Sequence, residues 1–197
     1  MTISRREITA DDILSVESYS PVRNERRAAV TSIKQHRRVQ VGPFVCFYFE
    51  SFDTMLHQVH EMLYAERGGE QQLADELAAY NPLIPKGREL VATMMIEIDD
   101  QARRDRELFR LGYIDTTVKL TFSGHEIIGE PEQDQNRTDE SGRVSTVHFL
   151  RFTFTDLQIS DFQRENSEVV LSIGHLHYPH MVRLTRQVCD ELARDFD

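Results

Sequence analysis

The sequence predicts an α+β fold: an antiparallel or mixed sheet with N-terminal helices packed on it, in a single domain. Three observations carry this expectation. Apolar residues recur at helical spacing through most of the first half, whereas the second half is dominated by short alternating segments joined by turn signals. A chain of 197 residues suits one continuous core. With 40% hydrophobic residues, 9 Gly and 6 Pro, the chain has enough apolar surface to offset its conformational entropy, and no repeat or linker divides it.

Taken in order, Thr9 followed by Asp12 reads as a helix start, and Pro21 suits the first turn of a second helix carrying Val22, Ala29, Val30 and Ile33 to about His36. Residues 39–50 are apolar at nearly every position. Val45, Phe47 and Phe49 fall on one face and Phe44, Cys46 and Tyr48 on the other, a strand covered on both sides and entered past Gly42-Pro43. From Asp53 the period changes, and Met55, Leu56, Val59, Met62 and Leu63 form a helical stripe that Gly68-Gly69 ends. A shorter helix around Leu73, Leu77 and Tyr80 stops at Asn81-Pro82, because the residue before proline avoids the helical region.

After a rigid loop over 82–87, a strand is expected over 89–98, then a charged helix opened by Asp99-Asp100 and closed near Gly112. Residues 116–122 and 125–128 flank Ser123-Gly124 as a hairpin. Residues 131–142 are polar and without period, which predicts an exposed loop. A strand over 144–154, a short helix after Thr155-Asp156, a strand over 168–173 and a last helix capped by Thr185 complete the chain.

Net charge of −10 argues against nucleic acid, which needs a basic stripe to displace counterions. The imbalance is local: residues 1–40 hold eight Lys+Arg against five Asp+Glu, and residues 41–100 hold three against eleven. Basic N-terminal helices docked on the acidic body or on another subunit, or a solvated charged face, both fit this pattern. No stretch reaches the roughly 20 apolar residues that cross a bilayer, and residues 1–12 lack the apolar run of a secretory leader, so the cytoplasm is the expected address and no membrane partner is expected. Cys46 and Cys189 cannot make a disulfide framework and read as buried thiols.

Gly174-His-Leu-His-Tyr-Pro-His180 is the richest constellation, with three imidazoles in six residues. If the strand continues, His175 and His177 share a face and Pro179 bends the chain so that His180 approaches them. Neutral imidazole ligates zinc and non-haem iron, so a divalent metal, Zn or Fe, is one reading; histidines lining a polar turn are the other. On the helix from Asp53, advancing about 100° per residue places Asp53, His57, His60 and Tyr64 in one sector with Glu61 beside it. That sector is either a ligand set or the wet face of an amphipathic helix. The order His57-x-x-His60-Glu61 departs from the Glu-x-x-His pairs of di-iron bundles. Lys86 and Arg88, after the proline loop, are candidates for contact with an anion or a partner's carboxylate. His148 alternates with Leu150, Phe152 and Phe154 and reads as a hydrogen-bonded histidine at the edge of the core. The chain has no G-x-S-x-G elbow and no phosphate-binding glycine loop.

Six segments together resemble an uncharacterised bacterial family known as domain of unknown function 3501. They are ITADDI at 8–13, RRVQVGPF at 37–44, HEML at 60–63, AYNPLIPKGREL at 79–90, VHFLRF at 147–152 and GHLHYPH at 174–180. The family's genes often stand beside those of rubrerythrin-like or iron–sulfur proteins, so the resemblance implies an accessory role in redox or iron metabolism. It also singles out His175 and His180 over His177, and adds His60 and Glu61 as the next site residues.

Three functions therefore stand as expectations. The first is an accessory or binding protein for a redox or iron-protein partner, using the acidic middle region and the 82–88 loop. The second is a metal-dependent enzyme with His175 and His180 as ligands and Glu61 as base or further ligand. The third is a structural homo-oligomer, a two-fold dimer being the commonest form.

Overall fold

The computed structural model describes residues 5–132 and 137–197. The chain runs α1 (Val16–Gln35), β1 (Arg38–Val41), β2 (Val45–Phe49), α2 (Phe52–Glu66), α3 (Gly69–Tyr80), β3 (Glu89–Ile96), α4 (Gln101–Arg110), β4 (Val118–Phe122), β5 (His125–Ile128), β6 (Glu130–Pro131), β7 (Val147–Thr153), α5 (Asp156–Gln163), β8 (Val170–His175), β9 (Tyr178–Arg183) and α6 (Arg186–Leu192). The fold is α+β, and its strands make two antiparallel sheets, in the orders β1-β2-β3-β7-β6 and β5-β4-β8-β9.

Period-two burial explains how the sheets stack. In the first sheet, Phe47, Phe49, Leu90, Ala92, Met94, Leu150 and Phe152 turn to one side and meet Val118, Leu120, Phe122, Leu171 and Ile173 of the second sheet in one core. Val91 and Phe149 point the other way and form a second core with Met55 and Val59 of α2, and with Ile8, Leu83 and Ile84. The first sheet is thus covered on both faces, which is why β2 reads as an almost unbroken apolar run. α1 packs along α2 in turn.

Local rules hold at most of the boundaries. Ser51 and Thr155 cap α2 and α5 with reciprocal side-chain bonds, and Asp100 and Thr185 cap α4 and α6. Ser123 and Gly124 both take positive φ, 48° and 80°, as a two-residue hairpin turn requires.

Four expectations are corrected. The first N-terminal helix is only a single 3-10 turn, Ala10–Asp12, capped by Thr9. α1 begins at Val16 behind the Ser15 cap, so Pro21 lies inside the helix rather than in its first turn. The apolar run over 39–50 is two strands, because Gly42 at φ +74° reverses the chain and pairs Val41 with Val45. The histidine segment is the tip of a hairpin rather than a bent strand end. Of the expected 131–142 loop, residues 133–136 lie outside the described residues; Thr138 bridges to Val144.

Candidate functional site

β8 and β9 are joined by Leu176-His177, a two-residue turn, which sets His175 opposite Tyr178 and His180 opposite Ile173. His175, Tyr178 and His180 therefore share the face turned to the core, whereas His177 sits in the turn. His175 and His180 are diagonal neighbours on that face. His175 is already committed at both ring nitrogens. Its Nδ1 accepts the His177 N–H at 3.2 Å, and its Nε2–H donates to the Gly112 carbonyl at 3.2 Å. Burial lowers its pKa, in keeping with this neutral, one-proton form. The His180 ring packs against the Tyr178 ring at 4.3 Å between centroids and against Gly42, where a Cβ would come within 2.7 Å of the imidazole.

The structural centre of this motif is Tyr178, which is 2% exposed. Its hydroxyl accepts the N–H groups of Phe44 and Val45, at 3.1 and 3.2 Å, and donates to the Val41 carbonyl at 2.9 Å. One phenol thus satisfies the polar groups of the β1–β2 turn and ties the second sheet to the first.

The second histidine set lies on α2 where it faces α1, with the first sheet between it and the β8–β9 hairpin. His60 accepts the Leu14 N–H at Nε2 (3.0 Å), contacts the Leu56 carbonyl through Nδ1 (2.9 Å), and stacks on Tyr19 at 4.7 Å. Both its nitrogens are occupied, and burial lowers its pKa. Glu61 receives Arg23 in a two-pronged pair, Nε to Oε1 at 2.8 Å and Nη2 to Oε2 at 2.7 Å, and the Tyr19 hydroxyl at 2.9 Å. The Arg23 bond holds the Glu61 carboxyl down at about 2, while burial and Glu61 push the Tyr19 phenol up to about 12. His57 Nδ1 lies 3.3 Å from the same phenol, and burial lowers its pKa. Among the described residues, no group of three or more His, Cys, Asp or Glu side chains is placed to hold a metal ion. His175 and His180 are not brought to His60 and Glu61.

The Lys86 ammonium reaches back to the Arg6 carbonyl, and Arg88 pairs with Asp156 on the surface at 2.7 Å. His148 is wholly buried, with Nε2 2.8 Å from the Ser145 carbonyl and Nδ1 3.3 Å from Asp115 Oδ2. Cys46 and Cys189 are buried thiols, both pushed up by burial, although Arg38 Nε lies 3.1 Å from Cys46 Sγ and opposes the effect there.

Two features were not singled out by sequence reasoning. Glu50 is a buried carboxyl, 8% exposed, at the end of β2. It takes hydroxyl bonds of 2.8 Å from both Thr54 and Thr93 and lines a cavity of about 200 Å³ beneath the end of α1. Burial pushes its pKa up. A charged residue closing the apolar run Val45–Phe49 was the available signal, since such positions are seldom charged without a reason. Arg37 is the other: it is buried beneath Glu191 and Asp195, holding Asp195 through two nitrogens at 2.8 and 2.9 Å.

These features define a two-sheet α+β protein with a helical layer on one side, a buried-carboxyl cavity and histidines built into hydrogen-bonded turns. The chain belongs to the family of proteins of unknown function DUF3501, whose model matches residues 7–196. It is similar to the crystal structure of a novel protein of unknown function from Burkholderia pseudomallei, at 33% sequence identity and a TM-score of 0.89, over 96% of this chain and 99% of that one. No curated protein matches the chain. Among the described residues, no helix is long and apolar enough to cross a membrane.

Proposed function

We propose that this is an accessory binding protein of the cytoplasm that docks a protein partner on the outer face of its second sheet. The partner is the redox or iron protein that the family resemblance implies. The observation that carries this reading is a cross-strand row on that face. Ile128, Lys119, Ser172 and Met181 stand side by side across β5, β4, β8 and β9, and none of them is buried. Met181 is 74% exposed and Ile128 58%, at opposite edges of the sheet. The charges nearby are mutually neutralised, Lys119 with Glu126 and Arg183 with Glu168, so the face offers an apolar anchor at each edge and a polar middle with little local repulsion.

Two copies of a chain with net charge −10 repel one another, which favours a different and less acidic partner over a homo-oligomer. The metal-dependent reading, zinc or iron on His175 and His180 with Glu61 as base, has less support. The ring nitrogens of His175 are spent in the hairpin, and Glu61 is spent on Arg23.

A photo-crosslinker placed at position 181 in the native host tests the proposal. Recovery of a redox or iron protein, lost when Ile128→Glu is added, is the expected result. Recovery of only a second copy of the chain, with dimers by light scattering, replaces the proposal with the homo-oligomer. Crosslinks to neither overturn both.

A further inference from the structure

The cavity beneath the end of α1 is a built site for which the docking surface gives no use. It is lined by Glu50, Thr54, Thr93, Tyr48 and Met95, together with Lys34 from the last turn of α1. An ionised carboxylate offers about four lone-pair positions, and the two threonine hydroxyls use two of them, so Glu50 can still accept from a ligand. The neighbouring Arg37 cannot serve a ligand. Its N–H groups are directed at Glu191, Asp195 and the Glu50 carbonyl. That leaves Lys34, a half-buried residue whose ammonium makes no hydrogen bond or ion pair among the described residues, as the cation open to a ligand.

We infer that this cavity binds a small amino-acid-like zwitterion, its ammonium on the Glu50 carboxylate and its carboxylate on the Lys34 ammonium. Size agrees: a cavity of about 200 Å³ has room for a molecule such as glycine, alanine or serine. Charge agrees as well. Burial makes ionisation of Glu50 costly in the empty cavity, and a bound ammonium offsets that cost. The Tyr48 ring and Met95 thioether supply a surface for the short carbon skeleton between the two charged ends.

The test is titration of the purified full chain with glycine, alanine and serine, followed by calorimetry and by thermal shift, with acetate and methylammonium as single-charge controls. Saturable binding of at least one zwitterion is expected, with each control weaker by about tenfold or more, the size of losing one hydrogen bond to a charged group. Glu50→Gln should weaken binding by a similar factor. Lys34→Met keeps the Glu50 side chain and its two threonine bonds in place and should do the same even if Glu50→Gln folds poorly. Absence of saturable binding by all three zwitterions overturns the inference. Unchanged affinity in Lys34→Met, or acetate binding as tightly as the best zwitterion, overturns it too.

Discussion

Replacing Tyr178 with Phe removes one oxygen atom and keeps the ring, including its contact with Phe44 at 4.6 Å between centroids. Three hydrogen bonds disappear with that oxygen, leaving the N–H groups of Phe44 and Val45 and the carbonyl of Val41 without it. Each bond contributes about 0.5–1.5 kcal/mol net, and buried groups left unsatisfied cost somewhat more. Val41 and Val45 have no exposure, so water can reach the vacated position only through the half-exposed turn at Gly42 and Phe44. A loss of about 2–4 kcal/mol is expected. Urea unfolding followed by circular dichroism measures it as a lower midpoint with an unchanged slope. A loss under about 0.5 kcal/mol would refute the assignment of the phenol as the clasp between the sheets, because that is the scale of ordinary surface substitutions.

Other perturbations follow from the same geometry. Arg37→Met leaves the buried Asp195 carboxylate without its partner, while Glu191 keeps Arg194, and should cost about 3–5 kcal/mol in the same unfolding assay. Burial pushes Asp195 up and also opposes charge on Arg37, yet the two-nitrogen contact with an ever-protonated guanidinium keeps the pair ionised; adding Asp195→Leu to Arg37→Met should therefore recover part of the loss. Glu61, held at about 2, adds stability that is present above its ordinary value of 4.5 and is lost as pH falls through about 2. Glu61→Gln should flatten the stability profile in that window by about 1 kcal/mol, a figure reduced for solvent screening. His175→Ala should loosen the β8–β9 tip by about 1 kcal/mol while leaving zinc and iron content, measured by elemental analysis, equal to wild type. Loss of one metal equivalent in that variant would restore the ligand reading.

Legibility followed the range of the interactions. α2 was plain in its apolar stripe, and the β4–β5 turn in Ser123-Gly124, because period and turn chemistry are local. β1 and β2 merged in the sequence because Gly42-Pro43, a turn dipeptide, was read as the entry to one strand; the turn is held by a tyrosine more than 130 residues away. β9 was hidden for a similar reason. Its turn, Leu176-His177, uses no residue at positive φ and contains no glycine, so nothing local announces a reversal. The histidines were noticed for the right oddity, but their use depends on distant main-chain partners. Gly112 lies 63 residues from His175 and Leu14 lies 46 from His60, and no spacing rule connects them. Glu50 was passed over because its threonine partners come from a helix and from a neighbouring strand.

The first sheet is a wall shared by two unequal cores, and this bears on how the molecule breathes. On one side the sheets interlock through large aromatic and aliphatic side chains; on the other, α2 and α3 rest on a smaller set centred on Met55, Val59, Ile84 and Val91. Detaching the helices breaks only the smaller cluster, whereas separating the sheets breaks the larger one. Amide hydrogen exchange should accordingly fall into two tiers, with α2 and α3 opening as one cooperative unit at a free energy well below that of β3, β7 and β8. Glu50 and Thr54 sit on the seam between these tiers. A molecule lodged there would slow exchange across the whole helical layer while scarcely changing it in the sheets.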